Sequence, residues 1–415
     1  MNVKPCHEIC GEYQIPGDKS VTHRAILFNG AAEGDATVTN ALLGEDCLSS
    51  AACMRALGAD VRVDGDVVRV RGVGRFRDAE CDCGNSGTTM RLLTGLVAGR
   101  GINVRLFGDP SLSSSPMERV AAPLRLLGAK VRTTQGRAPV FVEPSSLVGC
   151  AVDTQVASAQ VKSALLLAAL GAEGETTVRE PLRTRDHTER MLAAMGADIR
   201  VCGNEITVRG GSLRARDVEV PADISGAAYF MALGALCGET VCRNVGVNPT
   251  RTGILAAFDR MGADYSLENE REVCGEPVAD IRVRKSPLRA IRLSREDMPA
   301  LIDEIPVIAV LLAFAEGESV ITGAEELKVK ESDRIRTTAE MLCALGGDCT
   351  PTADGLIIRG KRTLRGGNVR TYKDHRIAMS GAVGLLASEK GGSIDDPACA
   401  DISFPGFFDL LGLKI

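Results

Sequence analysis

A short hydrophobic–polar pattern recurs along most of this chain. An apolar residue and a glycine are followed by a small residue, a charged residue and usually another apolar one, as in residues 57–61 (LGADV). Its glycines recur every 66 to 84 residues, at Gly58, Gly128, Gly196, Gly262 and Gly346. Five copies at similar spacing indicate an internal repeat and not a chance similarity.

Each copy is predicted to end a helix and begin a strand. The apolar residues before Gly128 are spaced by three or four positions, which is typical of one helix face: Met117, Val120, Ala121, Leu124 and Leu127. Gly128 suits the left-handed conformation that follows a helix. In the first copy, after Gly58, apolar and polar residues alternate over 61–64 and 67–70 and predict two strands. The unit is strand–helix–strand–strand. Six units, the sixth shared between the termini, predict an α/β protein of two domains.

Composition narrows the functional class. The chain has 415 residues, 45% hydrophobic and 25% charged, with a net charge of −5. This charge argues against a nucleic-acid partner, and with 3% aromatic residues and no Trp base stacking is not expected. Residues 1–20 do not resemble a secretory signal, and the longest apolar stretch, residues 305–315, is too short to span a membrane. We expect a cytoplasmic protein.

The chain contains fourteen cysteines but no disulfide framework in its spacing. In a long cytosolic chain they are expected to be reduced and mostly buried. Cys81 and Cys83, like Cys6 and Cys10, are spaced closely enough to suggest metal ligands. Because there are four His and no paired CxxC motifs, no metal site is predicted.

Four polar motifs stand out from the apolar background, and each places Lys or Arg beside Ser, Thr, Gly or a carboxylate. They are residues 16–24 (PGDKSVTHR), 84–91 (GNSGTTMR), 328–334 (KVKESDR) and 374–376 (DHR). Arg binds carboxylates and phosphates with its planar fork, and Lys provides a mobile point charge. Together the motifs predict a site for a phosphorylated, carboxylated substrate.

Two of these motifs are predicted to begin helices. Ser20 is a candidate cap for a helix that extends to Gly30, which would place Lys19 at the positive helix end. The glycines of the second motif allow a tight turn, and a helix can start at Thr88 or Thr89. Free backbone N–H groups at such a turn form an anion nest, to which Arg91 adds charge.

Other segments leave a structural and a functional interpretation open. Residues 158–162 (SAQVK) open an apolar helix at 163–170 and either cap it or bind a polyol or phosphate. Asp303, with Glu304, either caps the apolar run that follows or acts as a general base near cations. Lys330 and Glu331 pair an ammonium with a carboxylate, and both groups can move protons.

Together the motifs resemble the family of 5-enolpyruvylshikimate-3-phosphate synthases, also called 3-phosphoshikimate 1-carboxyvinyltransferases, from end to end. The resemblance is carried by residues 17–20 with Arg24, and by residues 84–89, 158–164, 185–188, 330–334 and 374–376. It implies two similar domains, each of three βαβαββ units in an inside-out α/β barrel. Residues 16–222 would form one domain and residues 1–15 with 223–415 the other. Two chain crossovers would join them at a hinge.

The resemblance also implies a reaction and its site. The enolpyruvyl group of phosphoenolpyruvate would be transferred to the 5-hydroxyl of shikimate 3-phosphate through a tetrahedral intermediate that loses phosphate, without a cofactor. A monomer is expected because no segment resembles an oligomerisation element. Shikimate 3-phosphate would contact Lys19, Ser20, Arg24, Ser158, Gln160, Thr184, Asp303 and Lys330. Phosphoenolpyruvate would contact Lys19, Gly87, Arg91, Gln160, Arg334 and Arg376. The implied catalytic residues are Lys19, Asp303 and Glu331; whether Asp303 or Glu331 is the principal base stays open.

Two positions depart from the family pattern. Ser115 stands where the family has an Arg that binds phosphoenolpyruvate, and Ile402 stands where many members have Lys. We therefore expect weak binding of phosphoenolpyruvate and of glyphosate, an anionic inhibitor that occupies the same subsite in this family, despite the small Gly87. Arg119, on the following helix, is an alternative source of the missing charge.

Two other functions are compatible with part of this pattern. The sister enolpyruvyl transferase that acts on UDP-N-acetylglucosamine shares the fold, but it usually has a Cys in the loop corresponding to residues 110–115, which has none here, and it lacks the KESDR block. A non-catalytic relative that binds shikimate 3-phosphate would fit Ser115 and Ile402. The presence of every candidate proton-transfer residue favours an active enzyme.

Overall fold

The structure is a computed structural model and describes residues 1–413. Its strands are β1 (Asn2–Val3), β2 (Ile9–Gln14), β3 (Asp35–Thr39), β4 (Asp60–Asp64), β5 (Val67–Arg71), β6 (Ala79–Asp82), β7 (Val104–Phe107), β8 (Lys130–Thr134), β9 (Arg137–Glu143), β10 (Leu147–Val148), β11 (Ala151–Asp153), β12 (Ala172–Glu173), β13 (Glu175–Arg179), β14 (Ile199–Cys202), β15 (Glu205–Arg209), β16 (Val218–Glu219), β17 (Gly238–Gly246), β18 (Asp264–Val273), β19 (Glu276–Arg284), β20 (Arg292–Leu293), β21 (Glu316–Ile321), β22 (Asp348–Pro351), β23 (Leu356–Lys361), β24 (Asn368–Val369) and β25 (Gly392–Ile394).

Its α-helices are α1 (Lys19–Ala31), α2 (Glu45–Leu57), α3 (Gly87–Ala98), α4 (Pro110–Ser114), α5 (Glu118–Leu126), α6 (Ala159–Ala169), α7 (His187–Ala194), α8 (Ile224–Cys237), α9 (Gly253–Met261), α10 (Met298–Leu301), α11 (Ile305–Phe314), α12 (Arg334–Ala344), α13 (His375–Ala387) and α14 (Phe407–Leu410). Short 3₁₀ helices cover Ile302–Glu304, Glu325–Val329 and Pro397–Ile402. No helix within residues 1–413 has the length and apolar character needed to cross a membrane.

The five predicted repeats are confirmed. They are β3–α2–β4–β5, β7–α5–β8–β9, β13–α7–β14–β15, β17–α9–β18–β19 and β21–α12–β22–β23. The repeat glycine follows the helix in each copy with a positive φ, from 73° at Gly262 to 113° at Gly58. A side chain disfavours this conformation, so the glycine lets the chain leave the helix and enter the next strand directly.

The chain groups into two compact units, and each has its own apolar core. Unit 1 contains Met1–Pro16, Ala222–Arg271 and Pro277–Ile415, and unit 2 contains Gly17–Pro221 and Glu272–Glu276. The predicted domains and their hinge stay predictions.

Unit 2 contains three four-stranded sheets of one design. Their strand orders are β16-β3-β5-β4, β6-β7-β9-β8 and β11-β13-β15-β14. In each sheet the first strand runs parallel to the second, and the other neighbours are antiparallel. A further parallel pair joins β10 and β12. The same βα crossover and hairpin are thus used three times in this unit.

Unit 1 repeats this design in the sheets β2-β17-β19-β18 and β20-β21-β23-β22. Its third sheet has the order β24-β25-β1, with β1 antiparallel to β25. The N-terminal strand therefore completes a sheet near the C-terminus, as expected for a shared sixth unit. This sheet has three strands within the described residues, because the segment after β25 forms a 3₁₀ helix and α14 instead of a strand.

Three helices in each unit are buried on nearly every side. They are α1, α3 and α6 in unit 2, and α8, α11 and α13 in unit 1. α3 and α6 approach so closely that a Cβ on Gly95 would lie 2.0 Å from the carbonyl oxygen of Ala164. Lys19, Gly87 and Gln160 lie in the first turns of the three buried helices of unit 2. A rigid core thus fixes the motif residues of this unit.

Candidate active site

Helix α1 begins at Lys19, but its cap is Asp18 and not Ser20 as expected. Asp18 Oδ1 accepts a hydrogen bond of 2.9 Å from the backbone N–H of Val21, whereas Ser20 lies inside the first turn. Lys19 Nζ lies 3.2 Å from Asp46 Oδ2, and 40% of its side chain is exposed. The ammonium group is therefore at the positive end of α1, paired with a carboxylate and accessible to solvent.

Arg24, the predicted phosphate ligand on α1, is almost fully buried. Its Nε donates to Thr188 Oγ1 at 2.8 Å, Nη1 to the carbonyl oxygen of Ser20 at 2.9 Å, and Nη2 to Ser163 Oγ at 2.9 Å. Burial lowers the pKa of Arg24 to about 10, so the guanidinium stays charged at neutral pH. These bonds tie α1 to α6 and α7. Binding of a phosphate by Arg24 stays a prediction.

Helix α3 begins at Gly87, one to two residues earlier than expected. Ser86 is the reason, because its Oγ accepts from the backbone N–H of Thr89 at 3.1 Å and caps the helix. A Cβ on Gly87 would lie 2.9 Å from Arg91 Nη1, closer than real Cβ contacts allow. The guanidinium of Arg91 can occupy this position only because residue 87 has no side chain.

Arg91 and Gln160 are brought together, although 69 residues separate them. Arg91 Nη1 donates to Gln160 Oε1 at 2.5 Å, and Gln160 Nε2 donates to Thr88 Oγ1 at 2.9 Å. Burial, together with the positive charge of Arg119, lowers the pKa of Arg91 to about 10. Arg119 is exposed and lies within electrostatic reach of Arg91. Two predicted phosphoenolpyruvate ligands thus share one hydrogen-bonded group.

Helix α6 begins at Ala159, four residues before the apolar run that predicted it, and Ser158 is its N-cap residue. A buried triad lies beside it: Lys162 Nζ is 2.8 Å from Glu180 Oε2 and 2.7 Å from Glu189 Oε1. Burial raises the pKa of Glu189. The hydroxyl of Thr184, predicted to touch phosphate, donates to Glu180 Oε1. The triad therefore holds the segment that carries Thr184 against α6.

Replacing Lys162 with Met is expected to destabilise the protein by about 3–5 kcal/mol, because two carboxylates would stay buried without their cation. The loss should be larger at pH 8 than at pH 5. Burial raises the pKa of a carboxyl such as Glu189 in the folded state. At pH 5 such a carboxyl can be protonated and neutral in the folded protein, whereas folding at pH 8 requires either a buried charge or the uptake of a proton. Urea unfolding measures the change, with the exposed Lys390→Met as control. Equal stability of both variants would contradict the structural role.

In unit 1, Asp303 lies between two cations. Its Oδ1 is 3.8 Å from Arg334 Nη1 and 4.0 Å from Lys330 Nζ, and 19% of its side chain is exposed. Lys330 also pairs with Glu326 at 3.1 Å. Asp303 lies in the middle of the short 3₁₀ helix Ile302–Glu304, which leads directly into the buried helix α11. A carboxylate thus stands beside two groups that can bind an anion.

Asp374 holds the guanidinium of Arg334 through two hydrogen bonds. Nε of Arg334 donates to Asp374 Oδ2 at 2.9 Å and Nη2 donates to Asp374 Oδ1 at 3.2 Å, and both residues are buried. Glu331, half exposed, accepts from Nη2 at 2.6 Å. Ser332 adds a bond of 2.8 Å to Asp374. The bidentate pair fixes the plane of the guanidinium and leaves Nη1 toward Asp303.

Arg376 lies in the first turn of α13, two residues after the capping residue Asp374, and several polar side chains influence its charge. Burial acts to lower the pKa of Arg376, but Tyr229, Asp303 and Glu304 raise it overall. Burial also raises the pKa of Tyr229 to about 12. Arg376 is therefore a permanent cation within the carboxylates of this unit. Arg334 and Arg376 are thus placed around one carboxylate, Asp303.

Ser225 and Arg251 form a second layer behind these residues, which no sequence motif indicated. Glu304, almost fully buried, accepts a hydrogen bond from Ser225 Oγ, and Arg251 Nη2 donates to the same hydroxyl at 2.8 Å. Arg251 also pairs with Asp223 at 3.2 Å. Burial raises the pKa of Glu304. Ser225 and Arg251 belong to no motif, and their contacts join segments 26 to 79 residues apart.

The loop that contains the departure at Ser115 packs against the Gly87 turn. Asn85 Nδ2 donates to Asp109 Oδ2 at 2.8 Å, and a Cβ on Gly87 would be 3.7 Å from the side chain of Leu112. Ser115 follows α4 and donates its backbone N–H to Leu112 at 2.9 Å. Asp109 and Leu112 thus bring the loop that carries Ser115 against the turn of Gly87. Ile402, the second departure, is exposed on the 3₁₀ helix near the C-terminus.

Within residues 1–413 no group of three or more His, Cys, Asp or Glu side chains is arranged to hold a metal ion. All fourteen cysteines are free thiols, and eight of them are buried, in agreement with the expectation from the sequence.

Comparison with solved structures identifies the class of protein. An EPSP synthase from Acinetobacter baumannii superimposes with a TM-score of 0.92 and 43% identity, covering 99% of this chain and 97% of that one. The enolpyruvyl transferase NikO from Streptomyces tendae superimposes with a TM-score of 0.79 at 20% identity, covering 99% and 96%. The chain therefore has the α/β fold of the enolpyruvyl transferases.

Comparison of sequences identifies the family. The family model of EPSP synthase (3-phosphoshikimate 1-carboxyvinyltransferase) matches residues 3–411. Enzymes named 3-phosphoshikimate 1-carboxyvinyltransferase from Desulfitobacterium hafniense and Gloeobacter violaceus are 48% and 49% identical, over 99% of this chain and 97% and 98% of theirs. This chain belongs to the EPSP synthase family and is a transferase of the shikimate pathway, which supplies the aromatic amino acids.

Proposed function

We propose that this chain transfers the enolpyruvyl group of phosphoenolpyruvate to the 5-hydroxyl of shikimate 3-phosphate and releases phosphate. The family match over residues 3–411 supports this reaction. The observation that carries the residue assignment is the position of Asp303, with one carboxylate oxygen 3.8 Å from Arg334 and 4.0 Å from Lys330. A base placed among cations fits a reaction in which a hydroxyl of one anion attacks another anion.

Shikimate 3-phosphate is assigned to the polar ends of the buried helices and to the Asp303 group. Its proposed ligands are Lys19, Ser20, Arg24, Ser158, Gln160, Thr184, Asp303 and Lys330. The accessible ammonium of Lys19 at the start of α1 supports this assignment. Arg24 and Thr184 are hydrogen-bonded within unit 2, and we propose that these bonds hold both side chains in position for the substrate.

Phosphoenolpyruvate is assigned to the guanidinium groups. Its proposed ligands are Lys19, Gly87, Arg91, Gln160, Arg334 and Arg376. The contact of Arg91 with Gln160 and the fixed plane of Arg334 support this assignment, since a pre-oriented guanidinium binds a carboxylate or phosphate with little loss of entropy.

The chemistry proceeds in two stages, an addition and an elimination. Asp303 takes the proton of the 5-hydroxyl as it attacks C2 of phosphoenolpyruvate, and C3 receives a proton. The tetrahedral intermediate then loses phosphate and a proton from C3. Glu331, half exposed beside Arg334, and Lys19 are assigned to the protons at C3 and at the leaving phosphate. The reaction is proposed to need no metal or other cofactor.

Release of phosphate from shikimate 3-phosphate and phosphoenolpyruvate, followed in a coupled assay, tests the function directly. Turnover that requires both substrates is expected. A chain that binds shikimate 3-phosphate but releases no phosphate would instead be a non-catalytic relative, the alternative that Ser115 and Ile402 favour.

Substituting Gly87 by Ala is expected to weaken phosphoenolpyruvate binding about tenfold, the value of one charge-assisted hydrogen bond. The new Cβ would lie 2.9 Å from Arg91 Nη1 and push the guanidinium from Gln160. The Michaelis constant for phosphoenolpyruvate reports the change. Gly74→Ala is the matched control, because nothing lies within 4 Å of its Cβ. An unchanged constant would show that Arg91 does not contribute to binding.

The finer architecture and the setting of the enzyme are also proposals. We infer three βαβαββ repeats in each unit, forming an inside-out α/β barrel, from the common strand order of the four-stranded sheets. The enzyme is proposed to be a cytoplasmic monomer without a nucleic-acid or membrane partner, as the net charge of −5 and the sequence suggest. Light scattering during gel filtration tests the oligomeric state.

A further inference from the structure

His23 lies at one end of a buried hydrogen-bond chain that links three helices of unit 2. Its Nδ1 is 2.8 Å from Ser50 Oγ on α2, and Ser50 Oγ is 2.7 Å from Thr89 Oγ1 on α3. Thr89 Oγ1 donates to Ser86 Oγ at 2.7 Å. All four side chains are fully buried. This series of hydrogen bonds therefore connects α1, which carries Lys19, to Ser86, which caps α3 directly before Gly87.

Thr89 is the centre of this arrangement. Its backbone N–H donates to the capping oxygen of Ser86, and its hydroxyl is also 3.3 Å from the carbonyl oxygen of Asp46, the residue whose carboxylate pairs with Lys19. A shift of Thr89 would therefore disturb both the start of α3 and the first turn of α2, where Asp46 lies. Buried hydrogen-bond networks of this kind hold the elements that they join in one arrangement.

His23 is poorly suited to proton transfer. Burial and the positive charge of Lys19 lower the pKa of His23 to about 3, with a smaller lowering by Arg24 and opposing effects of Asp46 and Asp18. The ring is therefore neutral over the working pH range. Its second nitrogen, Nε2, is buried and has no hydrogen-bond partner within residues 1–413. Only Nδ1 takes part in the network.

We propose that His23 is a positioning residue, which acts through Ser50 and Thr89 to hold the start of α3, with Gly87 and Arg91, in the arrangement that binds phosphoenolpyruvate. This inference rests on the proposed assignment of Gly87 and Arg91 to that substrate. His23 itself contacts no reacting atom in this assignment. The effect of its loss should therefore fall mainly on phosphoenolpyruvate, because Gly87 and Arg91 are assigned to that substrate alone.

Steady-state kinetics of His23→Ala, His23→Asn and Ser50→Ala test the inference. His23→Ala is expected to raise the Michaelis constant for phosphoenolpyruvate about threefold to tenfold, as for one lost hydrogen bond, and to change that for shikimate 3-phosphate less. His23→Asn should restore most of the loss, because its side-chain amide can occupy the place of Nδ1. The shape of the pH–rate profile should not change in any variant. The exposed His7→Ala is the matched control.

Three outcomes would overturn the inference: no change in either Michaelis constant, an equal rise in both, or no recovery with Asn. If His23→Ala does not fold, Ser50→Ala decides, since it breaks the same link by removing one hydroxyl. Arg91→Lys separates this inference from the assignment on which it rests. If Arg91→Lys raises the Michaelis constant for phosphoenolpyruvate and the His23 and Ser50 variants do not, only the inference fails. If Arg91→Lys has no effect, the assignment fails and the inference with it.

Discussion

Replacing Lys19 with Met is expected to reduce turnover by about 10²–10⁴-fold, the usual contribution of a general acid–base group, while the fold is retained. Met keeps most of the length of the side chain and removes only the ammonium. This group stands in the first turn of α1, 3.2 Å from Asp46, and is 40% exposed. Its partner is a partly exposed carboxylate, so losing the ion pair should cost little stability.

The phosphate-release assay and thermal unfolding together decide this prediction. Lys390→Met, which removes an exposed ammonium elsewhere, should behave like the parent enzyme. A folded Lys19→Met enzyme with more than half of the parent activity would show that Lys19 transfers no proton. A large rise in the Michaelis constants with unchanged turnover would instead assign Lys19 to binding alone.

The repeat shows how far the sequence can predict this fold. Its signal is local: an apolar helix face, a glycine with positive φ and two alternating strands lie within about thirty residues, so each copy is legible without its partners. The sixth unit was predicted less completely, because β1 at one end of the chain pairs with β25 near the other. The order of strands in a sheet depends on contacts between distant segments, which composition and periodicity do not record.

The site divides in the same way. Motifs identified Lys19, Arg91 and Arg334 as chemistry-bearing residues, but not which of their hydrogen bonds are already formed inside the protein. Arg24 illustrates the limit, because its donors are bound to Thr188 and Ser163, 164 and 139 residues away.

The cap of α1 was missed for a simpler reason. Two neighbouring polar residues compete for each helix start, and only the backbone geometry decides between them, as for Asp18 against Ser20.

Ser115 is the position at which sequence and structure together make the sharpest forecast. The family pattern implies an Arg there, and the loop that carries Ser115 is bonded to the turn of Gly87, near Arg91. The absence of this guanidinium would weaken the binding free energy of phosphoenolpyruvate by about 1.5–3 kcal/mol, which is about tenfold to hundredfold in affinity. Arg119 could offset this loss, because its positive charge is close enough to Arg91 to contribute to lowering the pKa of Arg91.

The parent enzyme is therefore expected to have a high Michaelis constant for phosphoenolpyruvate and to tolerate glyphosate. The Ser115→Arg variant should bind both ligands more tightly, by about tenfold to hundredfold. Shikimate 3-phosphate should be little affected, because its proposed ligands lie elsewhere. Ser114→Arg, which adds the same charge at an exposed neighbouring position, is the control for non-specific attraction. If Ser115→Arg tightens neither ligand, Arg119→Ala in the parent enzyme separates the remaining explanations. A weaker grip on phosphoenolpyruvate after that change would show that Arg119 has taken over the role, and no change would show that this loop does not face the substrate.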